Sequence, residues 1–329
     1  MSKKWWLVFA ASGVLALGVA ACGDDDDDGG GNGGGDLSGT IRIDGSSTVA
    51  PLSEPMAELF QEENPDVRVT VGTSGTGGGF EKFCAGETDI SDASRQIEED
   101  EVATCESGGI AFEEVTVAND ALSVVVNPEN PVTCLTVEQL NSVWGPKSQI
   151  NSWGDIEGLD ADFSEDLTLY SPGSDSGTFD YFTDAINGEE GVQRTANVND
   201  VGEDDNATVT GVSGAPGGMG YFGFSFLQEN EGTIKALEID GGEGCVAPSV
   251  ETVQDASYAP LGRELYIYPS AQALEKPEVQ AFVEFYLENV NEVAEQAGFI
   301  PLTDEQLSES ESDVEALGGG GGGGTETAE

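Results

Sequence analysis

Short apolar runs alternate with amphipathic stretches along most of this chain. Thr40-Ile41-Arg42-Ile43 alternates as a strand. Val49, Leu52, Met56, Leu59 and Phe60 then recur at helical spacing until Asn64-Pro65 ends the period. Val67 to Val71 predicts a second strand, Gly72 to Gly79 a glycine-rich turn, and Phe80 onward a helix. Thr88-Asp89-Ile90 predicts a third, shorter strand. Val115–Val117 and Leu122–Val126 are apolar runs flanking Asn119-Asp120. Thr136 to Trp144 predicts a helix, Leu167–Tyr170 a strand, and Phe179, Phe182 and Ile186 another helix. Gly211 to Gly223 reads as turns with a strand, Leu265–Tyr268 as an apolar strand, and Val279 to Val290 as a long helix with a wide buried face. Strand alternating with helix predicts an α/β fold with parallel pairing. Ligands of such sheets sit beyond the carboxyl ends of the strands, where the intervening loops fall.

The ends do not follow this pattern. Lys3 and Lys4, an apolar run from Trp5 to Ala21 and small residues before Cys22 read as a signal peptide. The segment is too short and wrongly flanked for a membrane span. Val19-Ala20-Ala21-Cys22 resembles a bacterial lipobox, which implies cleavage before Cys22 and a lipid on its thiol. Residues 23–36 are aspartate and glycine with little else, a solvated tether, and residues 313–329 close on a glycine tail expected to be disordered.

Charge narrows the partners. All 63 acidic residues lie beyond the signal, and nine cations remain there, a balance of −54. A field of that sign repels phosphate backbones and excludes nucleic acid as a partner. The chain has no histidine, so Ser-His-Asp and Cys-His catalysis and histidine-bound zinc are out of reach. Beyond Cys22 stand Cys84, Cys105, Cys134 and Cys245. An even number in an exported chain predicts two disulfides. Of three pairings, Cys84–Cys105 with Cys134–Cys245 is favoured because the first closes a local loop; no Cys-x-x-Cys spacing supports a metal site.

The candidate chemistry lies at four predicted strand-to-helix junctions: Ser46, Ser47 and Thr48; Ser74 and Thr76; Ser91 and Ser94; Ser174, Ser176, Gly177 and Thr178. Hydroxyls, glycine and free amides at a helix N-terminus make an anion site. For any single junction the plainer reading is a serine or threonine capping its own helix. Arg95 adjoins the third junction and offers a planar fork for a tetrahedral oxyanion; its plainer reading is an ion pair with Glu98 or Glu99. Nucleotide and hydrolase motifs fail. The glycine run lacks Gly-Lys-Ser/Thr, and Gly173-Ser174-Asp175-Ser176-Gly177 puts aspartate at the nucleophile's place.

The blocks beginning at Asp44 (Asp-Gly-Ser-Ser-Thr-Val), Gly75 (Gly-Thr-Gly-Gly-Gly-Phe) and Asp89 (Asp-Ile-Ser-Asp-Ala-Ser-Arg), with Asp175 to Phe182, resemble the phosphate-binding proteins of the Pst transport system. The resemblance runs in order from about residue 39 to 305. It implies a type II periplasmic binding protein fold: two α/β lobes, two crossover strands and one anion in the cleft. Lobe one would comprise residues 37–120 and 260–312, and lobe two residues 121–259. The implied ligand set is Ser47, Thr48, the Val49 amide, Ser74, Thr76, Ser94, Ser176, Gly177 and Thr178. Best-known members carry an aspartate where Ser94 stands and an arginine where Pro172 stands. Arg95 is then expected to supply the cation, and Asp44, Asp92 or Asp175 the carboxylate that accepts the proton of hydrogen phosphate. The expected function is capture of inorganic phosphate for an ABC permease by a monomeric lipoprotein on the outer face of the cytoplasmic membrane, with no cofactor and no catalysis. The alternatives are another oxyanion such as sulfate, a sensing role or, more remotely, a serine hydrolase.

Overall fold

The computed structural model describes residues 37–174 and 176–319. The signal, Cys22, the tether 23–36, Asp175 and residues 320–329 of the expected tail lie outside the described residues.

The chain opens with β1 (Gly39–Gly45), α1 (Ala50–Glu63), β2 (Val67–Gly72), α2 (Thr76–Cys84), β3 (Ile90–Ala93) and α3 (Glu99–Gly108). β1 pairs in parallel with both β2 and β3, so the loops after all three emerge at one end. Then comes β4 (Val115–Val126), a single twelve-residue strand where two apolar runs stood in the sequence. Beyond it lie β5 (Cys134–Thr136), α4 (Val137–Trp144), β6 (Thr168–Ser171), α5 (Gly177–Asn187), β7 (Val198–Asp200), α6 (Asp205–Gly214) and β8 (Gly218–Gly223). Smaller pieces follow: α7 (Phe224–Glu229), β9 (Lys235–Ala236), β10 (Glu238–Asp240), β11 (Cys245–Val246) and α8 (Val250–Gln254). The chain returns through β12 (Gly262–Pro269), α9 (Ala271–Leu274), α10 (Pro277–Gln296) and α11 (Asp304–Gly319).

One sheet carries most of these strands in the order β2-β1-β3-β12-β4-β8-β6-β7, with β9 on β4. β12 and β4 lie side by side at its middle, antiparallel, with Arg263 opposite Asp120. Two apolar cores meet there. Val115, Val117 and Ala118 of β4 pack with Leu52, Phe60, Leu265, Phe282 and Tyr286. Leu122, Val124 and Val126 pack instead with Trp144, Trp153, Phe182, Tyr221 and Tyr258. Each such side chain withdrawn from water contributes roughly 1.5–3 kcal/mol. Asn119-Asp120 interrupts the apolar strand at the step between the two cores.

The sequence expectations shift in four places. Leu59 lies on the solvent face of α1, 42% exposed, outside the buried stripe of Leu52, Met56 and Phe60. β3 starts at Ile90, because Asp89 turns its carboxylate to the Arg42 amide and Lys276. α2 starts four residues earlier than Phe80, inside the glycine run. A Cβ on Gly79 would stand 2.5 Å from the Gly45 Cα, so only glycine lets the first turn of α2 lie against the end of β1. That closeness offsets glycine's helix cost of about 1 kcal/mol. Finally, residues 313–319 continue α11 as helix, and Val314 is buried in the first core. The disulfides are Cys84–Cys105, joining α2 to α3, and Cys134–Cys245, joining β5 to β11.

Candidate functional site

A cavity of about 650 Å³ opens where the loops after β1, β2 and β3 face the start of α5. Ser46, Ser47 and Thr48 line it from the first loop, Ser74 to Gly78 from the second, and Ser94 with Arg95 from the third. Gly177 closes from the other side; a Cβ on it would sit 3.2 Å from Thr48 Oγ1. The four junctions therefore converge. Ser176 and Thr178 flank Gly177 without lining the cavity, and Val49 is fully buried behind Thr48.

The helix starts around this cavity lack side-chain caps, as do those of α7 and α10 away from it. α4, α6, α8 and α9 are capped by the side chains of Thr136, Asp204, Ser249 and Ser270. α1, α2 and α5 open at Val49, Gly75 and Ser176, and none of these residues makes a side-chain cap bond. Helix N-termini left in this state carry partial positive charge and stabilise an anion. α1 offers the least, since the Val49 and Ala50 amides both donate to the Ser46 carbonyl at 3.2 Å and Pro51 has no N–H; the receptive starts are those of α2 and α5.

Hydroxyl bookkeeping adds direction. The Ser94 amide donates to Thr76 Oγ1 at 3.2 Å, and Thr76 Oγ1 lies 3.1 Å from Ser94 Oγ. When Thr76 accepts the amide and donates to Ser94, the Ser94 hydroxyl proton is left to point into the cavity. Likewise Arg263 Nη2 donates to Thr48 Oγ1 at 3.2 Å, which leaves the Thr48 proton for a ligand. Each such chain polarises its last donor.

The cations are arranged otherwise than the sequence suggests. Arg95 lines the cavity, but both terminal nitrogens bond Glu101, at 2.8 and 2.9 Å, and Nε lies 3.3 Å from Glu98. The expected ion pair is present, with Glu101 in place of Glu99. Arg263, which loop composition does not reveal, also lines the cavity. Its guanidinium bonds Asp120 through Nε and Nη2, reaches the Ser94 carbonyl at 3.3 Å and lies 3.5 Å over the Tyr181 ring.

Two expected carboxylates are corrected. Asp44 is bound to Lys82 at 2.5 Å and to the Ser74 hydroxyl at 2.6 Å. Burial works to raise its pKa, yet the bonds to Lys82 and Ser74 outweigh it and lower the value. Asp92 is fully buried beside Ser53 and Tyr286, outside the cavity lining, with neither oxygen within hydrogen-bond geometry of a partner. Burial pushes it up to about 8. Neither lines the cavity, and Asp175 lies outside the described residues. The carboxylates that do line it are Asp180, Asp184, Glu190 and Glu264. Burial, then the nearby Glu190 charge, raises the Asp180 pKa.

Comparison with known proteins identifies the family. Residues 30–290 match the model of the PBP superfamily domain. The protein SphX of Synechococcus elongatus is 45% identical over 265 residues, covering 80% of this chain and 77% of its own length. The phosphate-binding protein PstS of Staphylococcus saprophyticus is 36% identical over 313 residues, covering 94% of both chains. The chain belongs to the phosphate-binding protein family. A possible phosphate binding protein from Planctomyces limnophilus superposes with a TM-score of 0.79 at 39% identity, over 85% of this chain and 99% of that one. An ABC-type phosphate transport receptor from Vibrio cholerae, at 24% identity and a TM-score of 0.64 over 80% of this chain and 99% of that one, shares the fold. The periplasmic binding protein architecture expected from the resemblance is the one these family members have.

Proposed function

We propose that this chain captures inorganic phosphate outside the cytoplasm and delivers it to an ABC permease, without altering it. The observation that carries the reading is the convergence of the side-chain-uncapped starts of α2 and α5 on one cavity with the hydroxyls of Thr48 and Ser94. Such neutral donors, with a guanidinium, hold an oxyanion in a strongly acidic protein because contact-range dipoles outweigh distant charges that salt screens over about 8 Å. The names its relatives carry, phosphate-binding protein and phosphate transport receptor, support the same ligand and route.

The ligand set is Ser47, Thr48, Thr76, Ser94 and Gly177, with Ser176, Thr178 and the Val49 amide supporting their backbone; Ser74 lines the cavity, but its hydroxyl and amide both donate to Asp44. Arg95 stands in the cavity wall with its fork closed on Glu101 and is left out of this set. Residues 37–120 and 260–312 act as one lobe and 121–259 as the other, and α11 extends the first lobe to residue 319. Closure follows ligand-shifted populations of the two arrangements. Among the described residues no helix is long and apolar enough to cross a membrane. The lipobox-like Val19-Ala20-Ala21-Cys22 supports attachment through a lipid on Cys22, holding a monomer at the outer face of the cytoplasmic membrane. One chain gives only reversible binding, and additional acyl groups at the same cysteine would make it lasting.

Titration calorimetry of the processed protein tests this reading. Phosphate is expected to bind at one site per chain, with sulfate weaker by at least about 100-fold, one of the lining carboxylates Asp180, Asp184, Glu190 and Glu264 accepting the ligand proton that sulfate lacks. Equal affinity for the two ions would replace phosphate by oxyanions in general. Turnover of a chromogenic phosphate ester would overturn the non-catalytic reading.

A further inference from the structure

Arg263 occupies a place no other cation of the described residues has. It stands near the start of β12, directly opposite Asp120 of β4, on the paired strands that run between the two cores. Four segments meet on its one guanidinium. Asp120 takes Nε at 3.2 Å and Nη2 at 3.1 Å; Thr48 takes the other Nη2 proton; the Ser94 carbonyl takes one Nη1 proton. From the far side the Tyr181 ring of α5 stacks on its face, itself fixed by a 3.0 Å bond from its hydroxyl to the Pro260 carbonyl. A guanidinium has five N–H donors. Four have protein acceptors, and the fifth, on Nη1, has none among the described residues. The side chain is only 17% exposed, so its charge is poorly screened. Arg95 is the contrast: 35% exposed, with its fork closed on Glu101 and Nη1 also donating to the Gln96 carbonyl.

We propose that Arg263 is the cation that contacts the captured oxyanion, and the latch that ties capture to closure. Its free Nη1 proton donates to the ligand, and through Nη2 it fixes the Thr48 hydroxyl as a donor to the same ligand. Thr48 and Ser94 belong to one proposed lobe and Tyr181 to the other. Arg263 lies in the same lobe as those loops, so lobes that separate must withdraw the Tyr181 ring from the guanidinium. A bound anion, shared by the loops, Gly177 and Arg263, favours the arrangement in which all contacts exist together. This inference rests on the phosphate and two-lobe readings above.

The test measures phosphate affinity by calorimetry and the phosphate-induced change in radius of gyration by solution scattering, on wild type, Arg263→Gln, Arg263→Lys and Arg95→Gln. Circular dichroism and ligand-free melting confirm folding. Arg263→Gln is expected to weaken phosphate by about 100-fold or more and to abolish compaction. Arg263→Lys, which keeps the charge but loses the fork and the stack, is expected to lose about 10-fold. Arg95→Gln is expected to stay within about 5-fold. A merely structural arginine would lower the melting temperature and leave affinity and compaction alone. Arg263→Gln binding within about 3-fold of wild type overturns the ligand role, and full compaction at saturating phosphate overturns the latch. Should Arg263→Gln not fold, Arg263→Lys decides: about 10-fold loss upholds the proposal and wild-type affinity overturns it. A wild type that binds no phosphate overturns the phosphate reading, and this inference with it.

Discussion

The two arginines of the cavity are built in opposite ways. The arm around Arg95 is local: Glu98 and Glu101 lie three and six residues along the chain, and the Cys84–Cys105 disulfide braces α2 against α3 one turn beyond Glu101. The hub around Arg263 is assembled from afar, with partners 143 and 215 residues away in sequence. A local arm can be rigid in one lobe whatever the other does. A hub whose contacts come from β4, the first loop and α5 exists only when the fold brings them together. Shaping the wall and sensing the ligand can thus be separate tasks for two identical side chains.

Four variants would break or sharpen that contrast. The largest effect is expected from removing the brace. Cys84→Ala with Cys105→Ala should cost about 3 kcal/mol of stability in denaturant unfolding and leave phosphate affinity within a few-fold. A loss above about 30-fold would make the arm a ligand-sensing element after all. Next, Thr48→Val deletes the donor that Arg263 orients, and calorimetry should read about 2 kcal/mol of lost binding, with melting little changed. No loss would cut the hub from the ligand.

Third comes Asp92→Asn, on the strand that leads to Ser94. The Asp92 pKa is raised to about 8 in the folded chain, against 3.8 for a free aspartate side chain. The folded state therefore binds more protons between those values. Stability from this group is fully present below about pH 4 and is lost as pH rises through about 8. The amide does not titrate and removes that dependence. The variant should therefore melt higher than wild type at pH 8 and lose the advantage at pH 4. A pH-independent difference would show that the carboxyl does not titrate there. The smallest effect is expected from Glu101→Gln, which loosens Arg95 from a half-exposed pair worth at most about 1 kcal/mol. Phosphate affinity should change by less than about 5-fold, in contrast to any change at Arg263.

What is legible in the sequence follows from the same distinction. The hydroxyl-rich junctions can be found because strand, serine or threonine and helix stand close together along the chain, three of the four with a glycine among them, and a helix start points its first amides back out of its N-terminus. The short disulfide loop is accessible for the same reason. The start of α2 is not, since three glycines look like a turn until Gly79 is seen against Gly45. Asp44 and Asp92 look like acceptors by their place in the motifs, but one is bound to Lys82 and the other is buried beside Ser53 and Tyr286. Arg263 does have a signal. Arg263-Glu264 precedes an otherwise apolar strand, and Asn119-Asp120 interrupts another. Two polar breaks of opposite charge in two strands expected to cross are candidates to face each other.

The long strand β4 carries a mechanical consequence. It passes unbroken from one core to the next, and β12 runs beside it with a register shift only between Leu265 and Tyr266. Asn119 is clamped as well, its backbone exchanging two bonds with Ile300. A strap of two bonded ribbons behaves as a leaf spring, not as a free pivot. Gaping of the cleft must then be absorbed by shallow torsion spread over many residues, which limits its amplitude and supplies a restoring force.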